Sequence, residues 1–185
     1  MEITAGALHL RPWNLSEADA AAAALALGDP RIRRWATGLP DGADERAWLA
    51  QRALGWSEGS EASFAVTGAT GGEVLGHIRV RVGTGAAHGH GEVGYWVLPG
   101  ARGRGVATQA LGVVGRWAFG FLGLSRLDLR HATGNAASCR VAAKGGFALT
   151  RLLSEPSWVE EEGTEEFHLH TLTPGRVPLS GRAGG

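Results

Sequence analysis

The stretch PGARGRGVATQAL, Pro99–Leu111, joins two periodicities. Before it, GEVGYWVLP reads as a strand closed by Pro99. After it, Ala107, Ala110, Leu111, Val114, Trp117, Ala118 and Phe121 recur at three- and four-residue steps. Arg116 is the only charged residue between Val106 and Leu124, which describes a largely buried helix. A strand thus runs through a Gly/Arg loop directly into a helix. The first turn of a helix carries N–H groups without internal partners and a partial positive charge. Gly103 and Gly105 have no Cβ, so a phosphate can approach several of these groups, and Arg102 and Arg104 can add charge-assisted hydrogen bonds. The chemistry that fits is a pyrophosphate held by backbone, and the loop alone leaves a plain solvated turn open as the other reading. It is not a Walker loop, because no Gly-Lys-Ser/Thr follows. Nor is it the dinucleotide fingerprint, which opens the first unit of a repeated parallel sheet.

Residues 7–13 alternate as a strand. Ser16 can cap a helix, with Asp19 at its third position and the alanine run extending to Leu27. DPRIRRW and PDGADERAWLAQRAL suggest a second helical region, clearest over 43–54, with Ala47, Leu49, Ala50 and Leu54 inward. SFAVTG and EVLGHIRVRVG are strands around an ATGG turn, the second with Val74, Gly76, Ile78, Val80 and Val82 on one face. LSRLDLRHA is a further strand, and NAASCRVAAKGGF a short helix with Asn135 as N-cap and Gly145 or Gly146 as its stop. ALTRLLSEPSW and TEEFHLHTL form a closing strand pair. The order implies an α/β domain over residues 1–172, with a largely antiparallel start and one parallel crossover from 91–98 through the long helix to 125–131. The Pro/Gly-rich tail, 173–185, is expected to be disordered.

With 185 residues, 44% of them hydrophobic, the chain suits one domain with a sizeable core. Lys+Arg and Asp+Glu are 18 each, so the formal net charge is zero and a dedicated nucleic-acid binder is disfavoured. Cys139 is the only cysteine, which rules out an intrachain disulfide and suits a reducing compartment. There is no signal-peptide pattern and no apolar run near the roughly 20 residues of a membrane helix. The expectation is a cytoplasmic protein without nucleic-acid or membrane partners.

Four segments together are more specific than the loop: Gly94-Tyr95-Trp96-Val97-Leu98-Pro99, Arg102-Gly103-Arg104-Gly105-Val106-Ala107-Thr108, Asn135-Ala136-Ala137-Ser138 and Lys144-Gly145-Gly146-Phe147. They resemble the GCN5-related N-acetyltransferases (GNAT), and within them the ribosomal-protein N-terminal, or Rim-type, branch. The superfamily pattern R-x-x-G-x-G/A is met by Arg102, Gly105 and Ala107. The resemblance is tight over 91–147 and looser from 7 to 90. It implies a mixed, mostly antiparallel sheet with a central splayed parallel pair and helices on both faces. It implies acetyl-CoA as donor and an amine as acceptor. The pyrophosphate would rest on Arg102–Thr108, through Arg102, Gly103, Arg104, Gly105, Val106, Ala107 and Thr108. The pantetheine arm would pair with the strand edge and contact Asn135, and the Val97 N–H would hold the thioester oxyanion. A fixed donor of that kind is worth ~3 kcal/mol in an acyl transfer.

The acceptor amine must be neutral to attack, and a weak base suffices for an α-amino group of pKa about 7.7–8.0. Glu92, on the strand face of Gly94 and Trp96, is the candidate base, acting through a water; an ordinary strand-edge carboxylate is the alternative. Ser138 matches a Rim-type serine near the sulfur and could donate to the departing thiolate, or be a first-turn serine satisfying backbone. The tyrosine that other members use nearby as general acid is absent, and Tyr95, the only tyrosine, sits in the strand. Cys139 reads as a buried side chain before a reactive one, and His131 as a strand-end histidine before a base. His88-Gly-His90 and His168-x-His170 have metal-like spacing but no Cys or Asp at suitable spacing, so no metal site is expected. Trp13, Trp35 and Trp158 read as core before acceptor wall. The run Glu160, Glu161, Glu162, Glu165 and Glu166 reads as a solvated loop that would steer cationic acceptors if it borders the cleft.

An acetyl group moved to a protein or peptide N-terminus is the favoured activity. A small-molecule amine such as an aminoglycoside or polyamine, a non-catalytic acyl-CoA-binding module and nucleotide binding are the alternatives. A monomer or homodimer is expected.

Overall fold

The computed structural model describes residues 1–36, 39, 44–83, 88–156 and 163–176. The strands are β1 Ile3–Ala5, β2 Leu8–Pro12, β3 Glu61–Gly68, β4 Val74–Val82, β5 His90–Val97, β6 Arg126–Ala132, β7 Ala148–Pro156 and β8 Thr164–Leu172. The helices are α1 Glu17–Gly28, α2 Pro30–Trp35, α3 Glu45–Glu58, α4 Val106–Gly120 and α5 Ala136–Lys144. All eight strands lie in one sheet, in the order β1-β2-β3-β4-β5-β6-β8-β7. Every neighbouring pair is antiparallel except β5–β6, which is parallel and connected through α4.

Local chemistry sets the helix starts. The side chains of Ser16, Asp29, Asp44 and Asn135 accept N–H bonds from Asp19, Ile32, Arg46 and Ser138 at the starts of α1, α2, α3 and α5. Such a cap is worth about 1 kcal/mol. α4 differs: its N-cap is Gly105, which offers no side-chain acceptor.

Each face of the sheet has its own core. On one, Leu111 and Val114 of α4 pack against Phe64, Val66, Ile78, Val80 and Val93. On the other, Ala23, Ala26, Ile32, Trp48 and Leu49 of α1–α3 pack against Trp13, Ala65 and Trp96. The alternation of a strand divides β3 between them, with Phe64 and Val66 to the first core and Ala65 to the second. Full burial of each large side chain contributes about 1.5–3 kcal/mol.

The second helical region is two helices, with α2 opening on Pro30. In α3 the inward face differs from the one read from the sequence. Trp48 and Leu49 are buried, whereas Ala47 and Ala50 are exposed and Leu54 is 55% exposed. The tryptophans decide the rotation, because they have far more apolar area to bury than alanine. Phe121, one step past α4, is likewise exposed rather than buried. β1 is a short edge strand whose hairpin with β2 the pattern did not reveal. Trp158, Glu160, Glu161, Glu162 and the tail beyond Arg176 lie outside the described residues.

The parallel pair opens midway. β5 pairs with β6 only over His90↔Arg126, Gly91↔Leu127 and Glu92↔Asp128, while β4 follows β5 as far as Gly76↔Val97.

Candidate active site

The opened pair borders a cleft of about 580 Å³. One wall is built by β5, the loop after it and the first turns of α4 and α5. The backbone directions along β5 follow from its two ends. The His90 carbonyl accepts from Gly83 N–H at 2.9 Å, and the Leu98 N–H donates to the Leu75 carbonyl at 2.9 Å, both across to the β4 side. By alternation the N–H groups of Tyr95 and Val97 turn to the β6 side, where the ladder has ended. A strand with free N–H and C=O groups can take an extended amide-bearing chain as if it were another strand.

Gly103 and Gly105 both have φ +77°, the left-handed region that glycine enters without strain. That geometry folds the loop so that α4 starts without a side-chain cap, leaving its first N–H groups free for an external acceptor. Gly103, Arg104 and Gly105 are exposed, Val106 and Ala107 are buried, and Thr108 lies between. All but Arg104 line the cleft, together with Arg102. Arg102 does more than its charge suggested. Its Nη2 donates to Asp29 Oδ1 at 2.7 Å and its Nε to the Val97 carbonyl at 3.2 Å. Desolvation raises the Asp29 carboxyl, but Arg102 and the N–H groups opening α2 outweigh it and hold the group below its ordinary range. One carboxylate therefore caps α2 and anchors the loop.

The α5 helix brings Ser138 to β5. Its Oγ is 2.8 Å from Tyr95 Oη, a pair with one hydroxyl donating to the other. Burial pushes the Tyr95 phenol up to about 12, although the bond to Ser138 works the other way, so the phenol stays protonated at neutral pH. Sequence reading set Tyr95 aside because it lies in the strand, and no residue spacing could show that α5 reaches it. Asn135 Oδ1 accepts the Ser138 N–H at 3.1 Å, which leaves the Asn135 amide nitrogen as its remaining donor toward the cleft it lines.

Glu92 lines the same cleft, with its side chain about a third exposed. Strand alternation turns it, with Trp96, to the face of α1–α3, opposite Tyr95 and Val97. Arg79 Nη2 stands 3.8 Å from Glu92 Oε1, and its Nη1 donates to Glu61 Oε2 at 3.2 Å. Glu61 also accepts from Arg52 at 2.8 Å. A chain of charges thus runs from α3 through β3 and β4 to Glu92. Gly94 makes room for it, since a Cβ there would lie 3.0 Å from Arg79 Nε. Arg79 was not singled out in the sequence.

Trp35, Trp48 and His77 continue the lining on the Glu92 side. Trp13 is core, 6% exposed, and its indole N–H donates to His77 Nδ1 at 3.0 Å. Desolvation, then Arg52 and Arg79, keep His77 well below the usual histidine range. Arg34, on α2, pairs with Glu165 at 3.6 Å. His131 also lines the cleft, and the fold gathers it with Cys139, His168 and His170.

The acetyltransferase (GNAT) domain model matches residues 7–148. The chain belongs to the GNAT acetyltransferases. These enzymes use acetyl-CoA as their acetyl donor. No curated protein sequence matches the chain. Among solved structures, RimJ of Mycobacterium smegmatis in complex with CoA-disulfide is 26% identical, with a TM-score of 0.75 over 94% of this chain and 85% of that one. The ribosomal-protein-S5-alanine acetyltransferase of Vibrio fischeri is 18% identical, with a TM-score of 0.76 over 96% and 100%. A GNAT-family acetyltransferase of Bacillus anthracis is 18% identical, with a TM-score of 0.79 over 94% and 98%. The fold of this GNAT chain is thus that of the Rim-type enzymes. No helix among its described residues is long and apolar enough to cross a membrane.

Proposed function

We propose that this GNAT enzyme transfers the acetyl group of acetyl-CoA to the α-amino group of a protein or peptide N-terminus by direct attack. The observation that carries the reading is the arrangement on β5. Glu92 lies on one face of the opened strand and the Tyr95–Ser138 pair on the other, while the free Val97 N–H points from its edge to the β6 side. An amine and a thioester can then meet across the strand with a base on one side and a leaving-group donor on the other. The 26% identity to RimJ, solved in complex with CoA-disulfide, supports the Rim-type kinship from which the acceptor class is taken.

The pyrophosphate rests on the N–H groups of Gly103 to Thr108, with Arg104 beside it and Arg102 bracing the loop. The pantetheine amides bond to the β5 edge and to Asn135. The neutral amine nitrogen attacks the thioester carbon, and its proton passes to Glu92 through a water. The oxygen gains charge and is held by the Val97 N–H. The C–S bond breaks, the thiolate accepts a hydrogen bond from Ser138, and Tyr95 donates to Ser138 in turn. CoA and an N-acetyl amide leave.

The test is thiol release from acetyl-CoA with a panel of free-N-terminal peptides, their Nα-blocked counterparts, aminoglycosides and polyamines. Mass spectrometry should find the acetyl group on the α-nitrogen of the free peptides. Turnover confined to small amines, or equal on blocked peptides, would replace the acceptor class. Binding of CoA without turnover on any amine would remove the catalytic reading.

A further inference from the structure

Three elements bring four soft or borderline ligands to one point. His131 on β6 stands directly opposite His168 on β8, with His170 two residues along the same face. Cys139, a free thiol on α5, completes the set, and one ligand atom from each of the four lies within 4.8 Å of all the others. His131 Nδ1 is tied to the Ala132 carbonyl at 2.8 Å, which turns its Nε2 inward to 3.2 Å from His170 Nε2. Backbone tethering of one imidazole nitrogen while the other faces the centre is the usual outer bond of a metal-binding histidine.

The cluster is otherwise poorly satisfied. Among the described residues, Nδ1 of His168 and Nδ1 of His170 have no hydrogen-bond partner, and His170 is only 2% exposed. His170 turns its Nε2 to the cluster and its Nδ1 outward to the Phe147 backbone, so the orphan that calls for a missing partner is the His168 nitrogen, since buried polar atoms are paired in more than about nine cases in ten. Among the described residues, no carboxylate acts on His131 or His170. A tetrahedral ion with Zn–N near 2.0–2.1 Å and Zn–S near 2.3 Å needs ligand atoms about 3.3–3.6 Å apart, within reach of this cluster by small side-chain movements. His168 and Cys139 are half-buried, which leaves an entry path.

We infer that His131, Cys139, His168 and His170 form a structural site for Zn²⁺ or a similar late first-row divalent ion. Three imidazoles and one thiolate close a tetrahedron with no open position, and the thiol gives up its proton on binding. The ion would fasten the first turn of α5, which carries Asn135 and Ser138, to the strands behind it. The inference does not depend on the acceptor.

The experiment uses the full chain, tag-free, reduced and chelator-stripped. Titration with Zn²⁺ should load one ion per chain by elemental analysis and raise the melting temperature. Co²⁺ should give tetrahedral visible bands and a near-ultraviolet thiolate charge-transfer band. Cys139→Ser should abolish that band, and His168→Asn should weaken Zn²⁺ binding by more than the about 10–100-fold that outer-shell changes cost. His88→Asn/His90→Asn, a pair of the same spacing outside the cluster, should leave metal binding unchanged. Alkylating Cys139 in the wild-type protein gives the same comparison without relying on a variant's folding. No stoichiometric metal, a Co²⁺ spectrum without the thiolate band, or undiminished binding in the alkylated protein would each overturn the site.

Discussion

At the residue scale the decisive arrangements join groups distant in the chain. The place of Glu92 in the cleft was legible, because a carboxylate on the face of Gly94 and Trp96 is a chemical signal. The hand that holds it was not, because Arg79 reads as one more strand arginine until Gly94 is seen to admit it. Replacing Glu92 with Gln should lower kcat by about 10²–10⁴ at pH 7 with acetyl-CoA affinity kept. The deficit should shrink above pH about 8, where the α-amine deprotonates unaided; a pH–rate profile reads both. Tyr95→Phe removes a single hydrogen bond to Ser138 and should cost about 2–10-fold in kcat, without altering acetyl-CoA binding by calorimetry. Glu61→Gln leaves Arg52 and Arg79 under-compensated in a buried setting and should destabilise by about 3–5 kcal/mol, measured by urea unfolding.

At the element scale the loop from β5 to α4 was the clearest signal in the sequence, because a change of period flanked by glycines has few structural solutions. What the sequence could not show is that both glycines are left-handed, so their reason is conformation as well as space. Gly103→Ala and Gly105→Ala should each cost about 1–2 kcal/mol of stability from backbone strain. Calorimetry should find CoA affinity falling by more than that strain explains; equal losses would make the loop a fold element only. Asp29 shows the same limit. Its place before Pro30 marks a cap, but its second duty to Arg102 spans 73 residues of sequence and needs the fold. Asp29→Asn should keep most of the cap and release Arg102, so CoA binding should weaken while the melting temperature changes little.

At the scale of the whole molecule, the α/β class and the single parallel crossover were readable, since two-residue and 3.6-residue periods separate strands from helices, whereas the sheet order, with β1 at one edge and β8 between β6 and β7, was not. The rotation of α3 was not, because alanines and leucines on its pattern compete with Trp48 for the same face. The buried centre has a consequence for acid stability. His77 has a folded pKa below its unfolded value of about 6.5, so the unfolded chain binds the extra proton and stability falls as pH drops below that value. Urea midpoints should decline from pH 7 to pH 5, and His77→Phe should flatten that decline even though it loses the Trp13 bond. The tryptophans around His77 have a further use. Trp13, Trp48 and Trp96 stand with ring centroids 5.1–6.1 Å apart, and Trp35 and Trp48 line the face of the cleft that bears Glu92. The enzyme thus carries an intrinsic fluorophore against the surface where an acceptor would arrive, and its emission can report that arrival in unlabelled protein, before any bond is made.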